Sequence, residues 1–143
     1  MATNTRFAVA LHVLTALAMV REPRTSEQLA EGTMGTHPAV LRRILSKLSK
    51  AGLVETRQGK FGGVELARAP EKITLGDVYR ALGEREVLAV HELPENPACP
   101  VSCHIKPALM RAFERAEAAI ERSLDSETIS DLLKDVRKGL RSR

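Results

Sequence analysis

With 143 residues, 43% of them hydrophobic but only three Phe, one Tyr and no Trp, the chain has material for one modest core of mostly helical packing, and too little for a large catalytic domain beside a partner domain. The net charge of +4 is unevenly placed: residues 1–82 carry 12 Lys/Arg against 7 Asp/Glu and residues 83–143 carry 10 against 11, so a positive N-terminal unit is set to face a polyanion. No apolar run approaches the ~20 residues of a membrane span, and the opening stretch has a helical period broken by His12 rather than an export signal's smooth core, so the expectation is a cytoplasmic protein with no membrane partner.

From Asn4 onward, Phe7, Val9, Ala10, Leu11, Val13, Leu14, Leu17, Ala18 and Val20 recur near the helical period. They predict a largely buried first helix with Asn4 as cap and Pro23 as its close. Thr25 and Gln28 have the spacing of a capping box, which predicts a short helix from Ser26 to Glu31 ended by Gly32 and Gly35. A third helix opens at Thr36 or His37 with Pro38 in its first turn. Val40, Leu41, Ile44, Leu45 and Leu48 lay an apolar stripe along it, and Arg42, Arg43, Ser46, Lys47, Ser49 and Lys50 fall on the other side. LVETR then alternates apolar and polar, a turn from Gly59 to Gly63 follows, and VELAR returns, which makes a two-stranded wing.

Thr74 opens a short helix that Gly83 ends. The stretch from Glu84 to Pro107, rich in Pro, His and Cys, reads as a linker. Pro107 then starts a helix with Ala108, Leu109, Ala112, Phe113, Ala116, Ala119, Ile120 and Leu124 on one face, which requires a partner. A last helix runs from Ser126 or Thr128 to about Leu140. The fold class expected is mainly α with a small β-hairpin. A winged helix-turn-helix unit spans residues 1–83, a linker or sensor segment 84–106, and dimerisation helices 107–143.

Three helices with a basic third one, followed by a glycine-rich hairpin, suit the major groove of B-DNA. With Val40, Ile44 and Leu48 anchored inward, Arg42, Arg43 and Lys47 must project toward phosphates or base edges, and Pro38 leaves amides at the helix start to receive a phosphate. Residues 36–68 hold seven basic side chains (Arg42, Arg43, Lys47, Lys50, Arg57, Lys60, Arg68) against Glu55 and Glu65. The hairpin tip RQGKFGG places Arg57, Gln58 or Lys60 toward a neighbouring minor groove. Any one of these residues alone is equally well read as a solvated face or a turn that needs glycine.

RFAVALHVLTALA, LRRILSKLSKAGLVETRQGKFGGVELARAPEKITLGDVYRAL and ENPACPV ahead of a long amphipathic helix resemble the Rrf2-type winged-helix regulators, the family of the iron-sulfur regulator IscR and the nitric-oxide sensor NsrR. The likeness covers nearly the whole chain, and its most specific parts are KLSKAGLV, GGVELAR and ITLGDVYRAL. It implies a homodimer with crossing C-terminal helices that presents a winged helix to each half of a palindromic promoter site, acting as a repressor. It further implies DNA contacts from Thr36, His37, Ala39, Arg42, Arg43 and Lys47, and from the wing at Arg57, Gln58 and Lys60. Two departures weaken the wing: Gln58-Gly59 stands where the family commonly has Arg-Gly, and Val64 where it commonly has an aromatic residue.

Cys99 and Cys103, in a chain with no export signal, point away from a disulfide framework. Cluster-binding members of the family carry three linker cysteines, whereas this chain has two. Three readings stay open. With His104 and His91 the cysteines supply ligands to zinc or an iron-sulfur cluster; they form a thiol switch; or they are small buried residues that pack the linker. The Cys99-Pro100-Val101 surroundings resemble the cluster-free branch, so no cofactor is the expectation.

The same winged helix used to dock an acidic protein is the alternative function. An enzyme has little support, since no Ser/His/Asp set, HExxH motif, phosphate loop or close carboxylate pair is present.

Overall fold

In the computed structural model, which describes residues 5–33, 35–83, 87–92 and 94–143, helix boundaries follow short-range capping chemistry. α1 (Arg6–Val20) begins after Thr5, which makes no side-chain cap bond; Asn4, the expected cap, lies outside the described residues. α2 (Ser26–Gly32) opens on the predicted capping box. Thr25 Oγ1 accepts from the Gln28 N–H at 3.2 Å and Gln28 Oε1 accepts from the Thr25 N–H at 2.9 Å, which satisfies two amides that a helix start leaves unpaired. α3 (Pro38–Lys50) follows, with His37 as its cap. α4 (Leu75–Leu82) repeats the reciprocal box with Thr74 and Asp77, and ends at Gly83 in left-handed backbone, φ 70°, as the sequence predicts.

The wing is an antiparallel pair, β1 (Val54–Arg57) and β2 (Gly63–Leu66), with Val54 opposite Leu66 and Arg57 opposite Gly63. It has a further rung, on the outer side of β2, that the sequence did not show. The Arg24 N–H donates to the Val64 carbonyl at 2.9 Å, and the Val64 N–H donates back to the Arg24 carbonyl at 2.7 Å. So close an approach depends on Gly63, whose φ is 144° and where a Cβ would lie 2.6 Å from the Arg24 backbone; glycine alone accepts both demands.

α1, α3 and α4 close on one core in which Val13, Leu14, Leu41, Leu48, Leu53, Ile73, Val78 and Ile129 are fully buried. Two expectations need correcting here. The long helix α5 (Pro100–Asp125) starts seven residues before Pro107 and passes through it; Pro100, which also lacks an N–H, takes the first-turn position that proline favours. The last helix, α6 (Ile129–Arg141), was expected within a separate dimerisation unit. Instead Ile129 and Leu133 enter the core shared by α1 and α4, the Ile129 N–H donates to the Ile73 carbonyl at 2.9 Å and the Leu75 N–H to the Glu127 carbonyl at 2.9 Å. A helix whose apolar side finds a ready hydrophobic surface in its own chain buries it there. Thr128 and Asp131 form its capping box, which settles the start between the two candidates.

α4 is tied to the far end of α5 by Arg80, which donates to Asp125 at 2.7 Å and to Glu121 at 3.4 Å. Hydrogen bonding to Asp125 holds the Arg80 guanidinium more firmly protonated than usual, and the same bonds hold the Asp125 carboxyl below its ordinary range. By contrast α5 buries none of its own residues fully. Leu109, Ala112, Phe113, Ala116 and Ile120 are all left half-exposed along it. Among the described residues no helix is long and apolar enough to cross a membrane.

Candidate nucleic-acid interface

α3 divides as its spacing predicts. Leu41, Ile44, Leu45 and Leu48 are buried, and Val40 is half-buried at the start. Arg42, Arg43, Ser46, Lys47, Ser49 and Lys50 are all exposed. The buried Leu41, Ile44, Leu45 and Leu48 fix the rotation of the helix about its axis, so the opposite row is turned toward the surface. Arg42, Arg43 and Lys50 make no ion pair or side-chain hydrogen bond with the described residues.

Lys47 differs from its neighbours. Its Nζ donates to the Leu82 carbonyl at 3.0 Å, at the C-terminal end of α4, where orphan carbonyls and the helix dipole favour a cation. In this conformation the ammonium is turned toward its own domain and away from the row formed by Arg42 and Arg43.

The helix start also differs from expectation. His37 Nδ1 accepts the Ala39 N–H at 3.1 Å, Pro38 has no N–H, and the Val40 and Leu41 amides donate to the His37 carbonyl. The first amides of α3 are therefore engaged, and the open phosphate cradle inferred from Pro38 is not present in this form. His37 remains exposed, while Thr36 and Ala39 are half-buried.

On the wing, Arg57 is bound to Glu65 at 3.1 Å across the hairpin, and Arg68 donates to the Ala51 carbonyl at 3.3 Å and lies 3.9 Å from Asp77. Of the seven basic residues counted between 36 and 68, four (Arg42, Arg43, Lys50 and Lys60) thus have no anionic or carbonyl partner among the described residues. Gln58 and Lys60 are exposed in the loop. The sequence reading passed over the residue beside them: Phe61, 84% exposed at the tip, in a loop too short and glycine-rich to cover it.

The segment expected to sense a signal joins α5. Cys99 caps the helix, its Sγ accepting the Ser102 N–H at 3.4 Å, and the Cys103 thiol donates to the Asn96 carbonyl at 3.5 Å. Both thiols are free and half-buried. His104 and His91 are exposed. Among the described residues no three His, Cys, Asp or Glu side chains are gathered as metal ligands. The described residues thus do not present the three or four ligands that a zinc or iron-sulfur centre requires.

Comparison with known proteins bears on this geometry. The family model of Rrf2, described as an iron-dependent transcriptional regulator, matches residues 3–135. YwnA of Bacillus subtilis, named as an HTH-type transcriptional regulator, is 40% identical over 131 residues, which cover 91% of this chain and 96% of that protein. The HTH-type transcriptional repressor NsrR of Streptomyces coelicolor is 34% identical over 133 residues, covering 87% of this chain and 83% of the relative. Among solved structures, IscR of T. potens superposes with a TM-score of 0.70 at 26% identity, covering 97% of this chain and 90% of that one.

Proposed function

We propose, because the chain belongs to the Rrf2 family of transcriptional regulators, that it binds a palindromic promoter site as a homodimer and represses transcription there. That it is a DNA-binding transcriptional regulator with a winged helix follows from the family and its relatives; the site symmetry, the dimer and the direction of control are the proposal. The observation that carries it is the division of α3, with Leu41, Ile44, Leu45 and Leu48 buried and Arg42 and Arg43 exposed without a polar partner among the described residues. An α-helix fits the major groove, and arginine is the side chain that reads guanine in two-pronged fashion.

The dimer is supported by α5. A helix of 26 residues with no fully buried residue and a half-exposed row from Leu109 to Ile120 leaves an apolar face that a second copy's α5 would cover. Two-fold symmetry through that contact presents both recognition helices to one side of the duplex, with half-sites about one helical turn, ~34 Å, apart.

Cys99 and Cys103 receive the signal in this reading, as a thiol pair. Their oxidation by hydrogen peroxide forms one S–S bond, and the two thiol protons and two electrons reduce the peroxide to two molecules of water. The Cys99 cap bond to Ser102 would then be lost at the head of the dimer helix. Ligation of a cluster is not part of the proposal, since the thiols and imidazoles are not gathered. The chain acts without catalysis and in the cytoplasm.

Hydroxyl-radical footprinting on the DNA upstream of the chain's own gene and on duplexes selected from a random pool tests the proposal. Two protected patches related by dyad symmetry about one helical turn apart are expected. Binding with no sequence preference, or binding of an acidic protein in place of any duplex, would overturn it.

A further inference from the structure

The wing tip carries an aromatic side chain that the described residues leave largely uncovered. Gly59 to Gly62 form a tight turn closed by the Gly62 N–H donating to the Gly59 carbonyl at 3.0 Å, which puts Lys60 and Phe61 at its two corners. The turn's backbone requires glycine at two positions. Gly59 has φ 108°, and a Cβ on Gly62 would collide with the Arg57 carbonyl oxygen.

Phe61 is 84% exposed, while the other aromatic residues are housed: Phe7 and Tyr79 meet edge to face at 5.6 Å, and Phe113 is half-buried on α5. An exposed phenylalanine forgoes the burial that ordinarily stabilises it by about 2 kcal/mol, so its position at the hairpin tip calls for an occupant. The charge around it identifies that occupant. Residues 58–63 include no acidic residue, and the Lys60 ammonium sits 5.7 Å from the centre of the Phe61 ring. A cation joined to an apolar wedge matches the way minor-groove proteins part a base step, with the cation meeting phosphate or groove-floor acceptors and the ring entering between bases.

We infer that Phe61 is a wedge that enters the minor groove beside each half-site and partly unstacks one base step, with Lys60 holding the flanking phosphate. The inference rests on the DNA-binding reading and adds to it a residue, a groove and a deformation of the DNA. It assigns part of the specificity to a step that no side chain hydrogen-bonds, because flexible pyrimidine–purine steps open more readily than A-tracts.

The test uses the full chain with a duplex selected from a random pool, carrying 2-aminopurine at successive positions outside the α3 contacts. Wild-type protein should raise the fluorescence at one step per half-site, the mark of lost stacking. Phe61→Ala should abolish that rise and weaken binding about tenfold per wing, the order of an aromatic–base stack. Phe61→Leu, a smaller wedge, should keep part of both effects. Since Phe61 is exposed, the substitution leaves the core intact, and thermal unfolding of Phe61→Ala matching wild type checks this. If Phe61→Ala binds as wild type and no position brightens while Arg43→Ala still weakens binding, the wedge is wrong and the regulator stands. If neither variant alters binding, both readings fall.

Discussion

Lys47→Met separates the two tasks that a basic residue on α3 can perform. The lysine ammonium donates to the Leu82 carbonyl at 3.0 Å, so the substitution keeps most of the apolar stem and removes the cap from the end of α4. A hydrogen bond from a charged donor contributes about 1.5–3 kcal/mol when shielded, and a cation at an exposed helix C-terminus about 0.3–1 kcal/mol. Lys47 is exposed, so the lower range governs and a loss of about 1 kcal/mol is expected, which for a domain of this size lowers Tm by roughly 3 °C. The assay is thermal unfolding by circular dichroism at fixed protein concentration, since a dimer's Tm depends on concentration, paired with fluorescence anisotropy on duplex DNA at several KCl concentrations. A phosphate contact would contribute about 0.9 to the slope of log affinity against log salt for each protomer. The structure predicts the lower Tm with an unchanged slope. An unchanged Tm with a slope reduced by about 0.9 per protomer would refute the reasoning and return Lys47 to the DNA.

Gly63→Ala should damage the wing locally, because the left-handed backbone at φ 144° and the 2.6 Å approach to Arg24 both reject a Cβ. A loss of about 2–3 kcal/mol in urea unfolding is expected from the strain alone, and a wild-type midpoint would show that the Arg24 rung is dispensable. Acid should weaken the junction of α4 and α5. The folded Asp125 carboxyl lies below its ordinary range because Arg80 donates to it, so its contribution is complete above the unfolded carboxyl's pKa, about 3.9, and is lost as pH falls through the lower folded value. Asp125→Asn should therefore flatten the acid limb of the urea midpoint below about pH 4, and a limb identical to wild type would contradict this.

The elements set by neighbours in sequence were legible from residues alone. The Thr25–Gln28 box, the Gly83 end of α4 and the apolar stripe of α3 each depend on residues three or four apart, and spacing displays such relations directly. What escaped depends on partners far along the chain. Lys47 meets Leu82, Arg24 pairs with Val64, and Ile129 joins a core begun at Ala10; nothing local distinguishes an exposed lysine from one that caps a distant helix. Pro107 misled for another reason. Proline marks a first turn in most helices, and two prolines, Pro100 and Pro107, both qualified. At the interface itself, the rotation of α3 was readable, but the engaged amides at its start and the Arg57–Glu65 pair belong to side-chain conformations that spacing does not contain.

The central claim is that the row of Arg42 and Arg43 lies against duplex phosphates and base edges while the leucines behind it hold the domain together. Anisotropy of a fluorescent duplex over a KCl series, with wild type and the double variant Arg42→Gln, Arg43→Gln, measures this directly. Two lost phosphate contacts should flatten the slope of log affinity against log salt by up to about 1.8 per protomer and weaken binding at every salt concentration. Equal slopes and equal affinities, in a double variant with wild-type thermal unfolding, would contradict the account.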